Sequence, residues 1–181
     1  MNVVAAVVET WGSSAEERAA AYPCDGLIDH PDGEAFRAVD VAAPAELVFR
    51  WLCQLRVAPY SYDWIDNFGR RSPRRLTDGL DRLEVGQRVM TVFRLVSFET
   101  DRSITILSST GPLGRFAVTY LVMPTTGDRS RLVVKLVYAA PLGVLGPVIR
   151  RLLPAGDLVM MRKQLLTLKA RAERDARQPG G

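Results

Sequence analysis

Histidine and cysteine are scarce in this sequence, and their scarcity removes several kinds of active site. The 181-residue chain has one histidine, His30, and two cysteines, Cys24 and Cys53. A single histidine in a loop, before a proline, gives no sound basis for a Ser-His-Asp or Cys-His catalytic arrangement. The cysteines are far apart and lack metal-ligand spacing. We therefore expect two reduced thiols, no metal site and a cytoplasmic protein.

Nucleotide-binding motifs and long apolar runs are also missing. Neither a GxGxxG pattern nor a P-loop occurs, so we expect no cofactor. The apolar start "MNVVAAVVETWG" is ended by Glu9 after about eight residues and has no basic residue before it. This run is too short to cross a bilayer and is unlike a signal peptide. The sequence predicts no membrane span.

Positive charge exceeds negative charge only slightly, with 24 basic and 20 acidic residues. The densest basic segment holds Arg70, Arg71, Arg74 and Arg75 in a loop with Pro and Gly. Aromatic residues do not interleave with it, so we expect no nucleic-acid partner. Two interpretations stay open: a solvated loop, or a docking site for an acidic acyl-carrier protein.

The order of patterns divides the chain into a leader, one domain and a tail. Residues 1–35 predict a leader that packs on the domain, with a short helix capped by Ser13 or Ser14 and ended by Pro23. Residues 36–176 form the domain, and residues 177–181 a disordered tail. In the domain, "EAFRAVDVAAP" alternates as a strand with one buried face, and a helix then opens at Pro44. The apolar stripe of that helix is Val48, Trp51, Leu52 and Leu55.

The segment "PYSYDWIDNFG", residues 59–69, is the densest in aromatic and acidic side chains. It predicts a short helix that begins after Ser61 and ends at Gly69. Tyr60, Trp64 and Phe68 would share one side of that helix. The segment can be a pocket wall, a catalytic centre or ordinary packing.

A period-two pattern follows from Arg88 to Ala140 and predicts four strands, the first of them over "RVMTVFRLVSFE". The turns between strands are too short for crossover helices, so the sheet should be antiparallel. In the last strand we expect Lys135 to point to water. A short helix should start at Pro147, break at Pro154–Gly156, and give way to a long helix over Asp157–Ala176. We thus predict an α+β fold in which a curved antiparallel sheet wraps around the long C-terminal helix, with a cavity between them.

Three stretches resemble the START-like helix-grip superfamily, also called SRPBCC. They are "VAAPAELVFRWLCQL", "YSYDWIDNFG" and "VMMRKQLLTLKARAE", and the resemblance extends over about residues 11 to 176. Within that superfamily, the sequence is similar to an uncharacterised actinobacterial-type branch related to polyketide cyclase/dehydratase and lipid-transport proteins. The link "RVAP" is shorter than the Gly-rich link of many members. Members that are oxygenases need two histidines at iron, and this chain has one.

The resemblance implies a hydrophobic small-molecule site. The candidate ligand-binding residues are Trp51, Tyr60, Tyr62, Trp64, Tyr120 and Tyr138. The alternative is an enzyme of the polyketide cyclase/dehydratase type, in which Tyr62 and Asp63 would carry acid–base catalysis. A third possibility is an interaction module with a filled core. Arg94 could bind a carboxylate or carbonyl if it points inward, although a strand arginine more often faces water.

Overall fold

Six strands form one antiparallel sheet that packs on a long C-terminal helix. The computed structural model describes residues 8–62, 71–109, 111–112, 114–141 and 146–178. The helices are α1 (Ala15–Ala19), α2 (Ala45–Cys53), which continues into a 3-10 turn (Gln54–Arg56), and α3 (Gly146–Ala176). The strands are β1 (Gly33–Val41), β2 (Arg88–Val89), β3 (Phe93–Glu99), β4 (Ser103–Ser108), β5 (Arg115–Pro124) and β6 (Ser130–Ala139).

The sheet runs in the order β1-β6-β5-β4-β3-β2, and every neighbouring pair is antiparallel. Short turns join β3 to β4 and β5 to β6. Turns of this length can join antiparallel strands but not parallel ones. The sheet is curved and carries α3 on one face. The predicted α+β class and antiparallel sheet are confirmed.

The prediction of a single strand over residues 88–99 is wrong. The chain forms the two-residue strand β2, turns through Met90, and returns as β3 with Val89 opposite Phe93. Met90 has a φ of 50°, which a regular strand does not contain. Its N–H donates to the carbonyl of Leu55 at 2.8 Å, so a contact outside the sheet holds the turn.

The apolar stripe of α2 is buried as predicted. Val48, Trp51, Leu52 and Leu55 are each at most 1% exposed. Pro44 is the N-cap residue rather than the first helical residue. The indole Nε1 of Trp51 donates to Asp175 Oδ2 at 3.1 Å, which fixes α2 to the last turn of α3.

Helix α3 is continuous over 31 residues, so the predicted break at Pro154–Gly156 is wrong. Pro154 has no N–H to donate, which removes one bond from the helical ladder. Contacts from β1 hold this turn in place, because Arg37 donates to the Pro154 carbonyl at 3.4 Å and to Asp157 Oδ2 at 2.9 Å. Later in α3 an apolar stripe is buried, at Met161, Leu165, Leu168 and Ala172.

Both faces of β1 are covered, although the sequence predicted one buried face. Ala35, Val39 and Val41 belong to the main core beneath α2 and α3. Phe36 and Ala38 lie on the other face in a second cluster. Tyr22, Cys24 and Ile28 of the leader complete that cluster. The leader thus supplies the apolar cover that the outer face of the sheet would otherwise lack.

The prediction that Lys135 points to water is also wrong, because its side chain lies beneath the leader at 7% exposure. The Nζ atom is 2.7 Å from Asp25 Oδ1 and 3.0 Å from Glu34 Oε2. It also lies over the rings of Tyr22 and Phe36, 5.6 and 5.2 Å from their centroids. Burial acts to lower the pKa of Lys135, but the two carboxylates more than offset this and raise it.

Polar contacts fix α1 and the residues just before it to the sheet. Ser14 caps α1 and forms a reciprocal capping box with Glu17. Arg131 on β6 holds that glutamate, with Nε 2.7 Å from Oε1, and donates to the Gly12 carbonyl at 2.6 Å. Because Arg131 contacts both the cap and the preceding turn, α1 has a fixed position on β6.

Candidate functional site

An open groove of about 400 Å³ lies at the end of the sheet where β4 ends and β5 begins. We refer to it as the β4–β5 groove. Its walls come from the turn after β2, the first residues of β3 and the connection between β4 and β5. The lining residues are Arg88, Thr91, Val92, Phe93, Arg94, Ser108, Ser109, Gly111, Pro112, Gly114 and Phe116.

Two phenylalanines form the apolar part of the groove. Phe93 begins β3 opposite Ser108, and Phe116 lies near the start of β5. The Ser108 hydroxyl accepts a hydrogen bond from the Phe116 N–H at 2.8 Å, so one serine contacts both strands. Both rings are partly buried and pack against the main core. The groove therefore continues the inner, apolar face of the sheet to the surface.

The opposite wall comes from Gly111, Pro112 and Gly114. Gly111 and Gly114 exchange backbone hydrogen bonds of 3.3 and 3.0 Å. Gly114 has a φ of 103°, and a Cβ atom there would lie 2.1 Å from the carbonyl oxygen of Ala139. Only glycine allows this close approach of the Gly114 backbone to the end of β6.

The rim of the groove is basic. Arg88 on β2 and Arg94 on β3 are direct cross-strand partners, and both are exposed. Arg94 Nη1 donates to the Gly86 carbonyl at 3.0 Å. Of the two alternatives for Arg94, the structure has the side chain facing water, at the mouth of the groove.

The predicted ligand-binding and catalytic residues fall into three groups. Trp51, Tyr60, Tyr120 and Tyr138 belong to the main core, each at most 5% exposed. Tyr62 is half-buried. Asp63 and Trp64 lie outside the described residues, as does most of the helix predicted for residues 61–69.

Tyr138 is the one of these residues nearest to the groove in the register of the sheet. It lies directly opposite Phe116 on the neighbouring strand, and directly opposite neighbours share a sheet face. Tyr138 also faces Gly33, where a Cβ atom would lie 2.5 Å from its hydroxyl oxygen. The ring therefore extends across β6 towards β1, and Tyr138 is not one of the groove-lining residues.

Tyr120 and Tyr60 lie deeper in the core and hold in place the chain that leads into the aromatic segment. The Tyr120 hydroxyl donates to Gln164 Oε1 at 2.7 Å, and Gln164 Nε2 donates to the Pro59 carbonyl at 2.6 Å. Burial raises the pKa of Tyr120. Tyr60, with a φ of 56°, packs edge-to-face on Trp51 with ring centroids 5.9 Å apart. The start of "PYSYDW" is therefore anchored to both α2 and α3.

The interior also contains an ion pair that the sequence did not predict. Arg37 on β1 meets Asp157 on α3 at 2.9 Å, and their side chains are 1% and 15% exposed. Burial raises the pKa of Asp157 to about 6, although Arg37 acts to lower it. Alternation along β1 places Arg37 with Ala35 and Val39 on the core face. This alternation was the sequence signal from which a buried arginine could have been predicted.

The positions of His30, Cys24 and Cys53 do not favour a catalytic role for these residues. His30 is exposed in its loop. Both cysteines are free and buried, and burial raises the pKa of Cys53 to about 12. A thiol that stays protonated is a poor nucleophile. In the described ranges no group of three or more histidine, cysteine or acidic side chains is placed to hold a metal ion.

Comparison with known proteins gives a likeness in structure alone. Neither a family model nor a curated protein matches the sequence. The Zhui aromatase/cyclase from Streptomyces sp. R1128 superimposes with a TM-score of 0.58 at 20% identity, over 82% of this chain and 98% of that one. This chain has the helix-grip fold.

Further helix-grip structures resemble it at similar levels. The di-domain ARO/CYC BexL from the BE-7585A biosynthetic pathway matches with a TM-score of 0.52 at 18% identity, over 78% of this chain and 46% of that one. Protein MLL2253 from Mesorhizobium loti matches with a TM-score of 0.53 at 15% identity, over 78% and 98%. The predicted helix-grip fold is confirmed, and the assignment to an actinobacterial-type branch stays a prediction.

Proposed function

We propose that the protein binds a hydrophobic small molecule, lipid- or polyketide-like, between the sheet and α3, with the β4–β5 groove as the open end of that site. The observation that carries this proposal is the apolar groove itself. Its two phenylalanines, Phe93 and Phe116, pack against the same core that α3 covers. Helix-grip neighbours include two proteins named as aromatase/cyclases, which is consistent with such a ligand.

The size and composition of the groove support a ligand rather than bound water alone. Small-molecule sites have volumes of about 300–1,000 Å³ and are mostly apolar with a few polar groups. The groove has a volume of about 400 Å³ and adds Ser108, Ser109 and two arginines to its apolar walls. By contrast, the depression beside Gln54 and Thr77 has a volume of about 40 Å³, which suits water.

Binding of N-phenyl-1-naphthylamine, an uncharged dye that fluoresces in apolar surroundings, tests this proposal. We expect saturable binding to the wild-type protein and at least about tenfold weaker binding to Phe93→Ala and Phe116→Ala, because each change removes a wall of the groove. Phe98→Ala is the matched control, since Phe98 lies on the same strand at 37% exposure and outside the groove. Absence of dye binding, together with no copurified apolar ligand in native mass spectrometry, would show the proposal to be wrong.

The second candidate is an enzyme of the polyketide cyclase/dehydratase type. Asp157 favours it, because it is a carboxyl that meets Arg37 in the interior, and burial raises its pKa to about 6, a range suited to proton transfer. Tyr62 and Asp63 are the candidates from the sequence. Reactive poly-β-ketone chains should then give a product distribution that changes in Tyr62→Phe, Asp63→Asn or Asp157→Asn. Identical products from the wild type and all three variants exclude this candidate.

An acyl-carrier protein remains a candidate partner for delivery of such a ligand. Arg71, Arg74 and Arg75 are exposed, and an acidic surface would complement them. A cytoplasmic location is part of the same proposal. Among the helices that the described residues form, none is long and apolar enough to pass through a membrane.

A further inference from the structure

We propose that Arg88 and Arg94 form an anion-binding subsite at the mouth of the β4–β5 groove, so that the ligand is an apolar molecule with a carboxylate or phosphate group. This inference rests on the proposed function and adds the chemical class of the ligand. It comes from the position of the two arginines relative to each other and to the phenylalanines beside them.

The arginines are an unfavourable pair without an anion. Arg88 and Arg94 are directly opposite each other across the β2–β3 ladder, and like charges in that position repel. Over the described part of the chain, neither arginine has an acidic partner. Arg102, in the turn after β3, in contrast pairs with Glu99 at 3.0 Å. An anion between Arg88 and Arg94 would replace the repulsion with two attractions.

The guanidinium group of Arg94 also has N–H donors available for a ligand. The only side-chain hydrogen bond of Arg94 in the described ranges is to the Gly86 carbonyl, which occupies one guanidinium donor. That contact also holds Arg94 at the rim and lowers the entropy lost on binding. Guanidinium groups bind carboxylates and phosphates through paired, charge-assisted hydrogen bonds.

The phenylalanines of the groove determine that the rest of the ligand is apolar. Phe93 directly follows the β2–β3 turn and precedes Arg94, while Phe116 faces the same space from β5. An apolar body can lie against these rings while its charged end meets the arginines. The volume of about 400 Å³ fits a body of two or three fused or linked rings.

Two dyes with the same rings separate the anionic from the apolar contribution. 8-Anilino-1-naphthalenesulfonate is N-phenyl-1-naphthylamine with one added sulfonate. We expect the sulfonate dye to bind about tenfold more tightly to the wild type. Arg88→Gln and Arg94→Gln should each weaken it several-fold, and the double variant should bind both dyes with equal affinity. Arg129→Gln, in the exposed β5–β6 turn, is the control for loss of one positive charge.

Displacement of the uncharged dye then identifies the anion. We expect 1-naphthoate or 1-naphthyl phosphate to displace it at lower concentration than 1-naphthol. The stronger of the two distinguishes a carboxylate ligand from a phosphate ligand. Added salt should reduce this difference in the wild type and have little effect on it in the Arg88→Gln, Arg94→Gln double variant.

The outcomes separate this inference from the proposed function. Equal affinity of the wild type for the two dyes, or unchanged binding of the sulfonate dye in the double variant, overturns the anion subsite and leaves the apolar site intact. Failure of both dyes to bind overturns both. Far-UV circular dichroism of the variants checks folding, which two exposed arginines should not affect.

Discussion

The hydroxyl of Tyr120 donates a 2.7 Å hydrogen bond to Oε1 of Gln164, deep between the sheet and α3. The other end of the same amide donates to the Pro59 carbonyl at 2.6 Å. One buried amide therefore connects β5, α3 and the segment that leads into "YSYDW". Buried polar groups that are fully paired specify a single arrangement of the elements around them.

Tyr120→Phe should destabilise the protein by about 1–3 kcal/mol, because Gln164 Oε1 is left buried without a donor. Gln164→Met should cost at least as much, since it also leaves the Pro59 carbonyl unpaired. Urea denaturation measures both free energies of unfolding. Tyr22→Phe is the comparison, because the Tyr22 hydroxyl bonds a part-buried carbonyl near the surface and should cost less. A Tyr120→Phe variant as stable as the wild type would contradict the proposed role of this bond.

Lys135→Glu should open the cover that the leader forms over the sheet. The substitution places a third carboxylate beside Asp25 and Glu34, and like charges at 3 Å separations repel strongly. Alkylation of Cys24, which is fully buried in that cluster, should become at least about tenfold faster. Peptide mapping after iodoacetamide treatment measures this rate. Cys53, buried in the main core, is an internal control, and equal acceleration at both cysteines would indicate global unfolding instead.

Gly114→Ala should destabilise the protein and weaken dye binding in the β4–β5 groove. The new Cβ atom would meet the Ala139 carbonyl oxygen at 2.1 Å, so the backbone at residue 114 must move away from β6. Gly127→Ala is a matched control, because Gly127 also has a positive φ but has no atom within 4 Å of the new Cβ. The control should cost about 1 kcal/mol and leave dye affinity unchanged. Equal effects of the two substitutions would contradict the steric explanation.

Local sequence patterns predict those parts of the fold in which each face of a helix or strand has a single environment, either core or solvent. The α2 stripe from Val48 to Leu55 and the alternation in β5 and β6 repeat at the period of their own element. The short turns before β4 and β6 then leave few topologies apart from an antiparallel sheet. These predictions needed no knowledge of distant residues.

The wrong predictions each depend on a contact between distant residues. Lys135 is buried because Asp25, from the leader, lies over it. Helix α3 continues through Pro154 because Arg37, on the first strand, donates to that turn. Met90 leaves the strand because its N–H bonds the carbonyl of Leu55. Sequence periodicity carries no information about such pairs.

The candidate site shows the same division. Aromatic density made "PYSYDWIDNFG" a predicted site, yet the described residues at its start, Pro59 and Tyr60, are anchored by core contacts. The groove instead depends on Phe93 and Phe116, which come together through strand pairing with β4. The sequence contained one signal for it: Gly111 and Gly114 come directly before a strand whose second residue is Phe116.

The Arg37–Asp157 pair makes stability depend on pH in an unusual direction. Burial raises the pKa of Asp157 from an ordinary value of 3.8 to about 6. Between about pH 4 and pH 6 the folded protein therefore keeps a proton that the unfolded chain has lost. Stability from this group is fully present below pH 4 and falls as the pH rises to 6, by roughly 3 kcal/mol. Desolvation of the carboxylate outweighs its attraction to Arg37.

Comparison of the wild type with Asp157→Asn isolates this effect, because the amide does not titrate. The free energy of unfolding of the wild type minus that of the variant should fall between pH 4 and pH 6 and stay constant above, as measured by urea denaturation at each pH. Glu173→Gln is the control of opposite sign. Burial acts to raise the pKa of Glu173, but bonds from the Ala42 N–H and Lys169 lower it below 4.5. The wild-type advantage over that variant should be present above pH 4.5 and disappear at lower pH. A difference for Asp157→Asn that grows with rising pH would mean that the ion pair, rather than the desolvated carboxylate, dominates at this site.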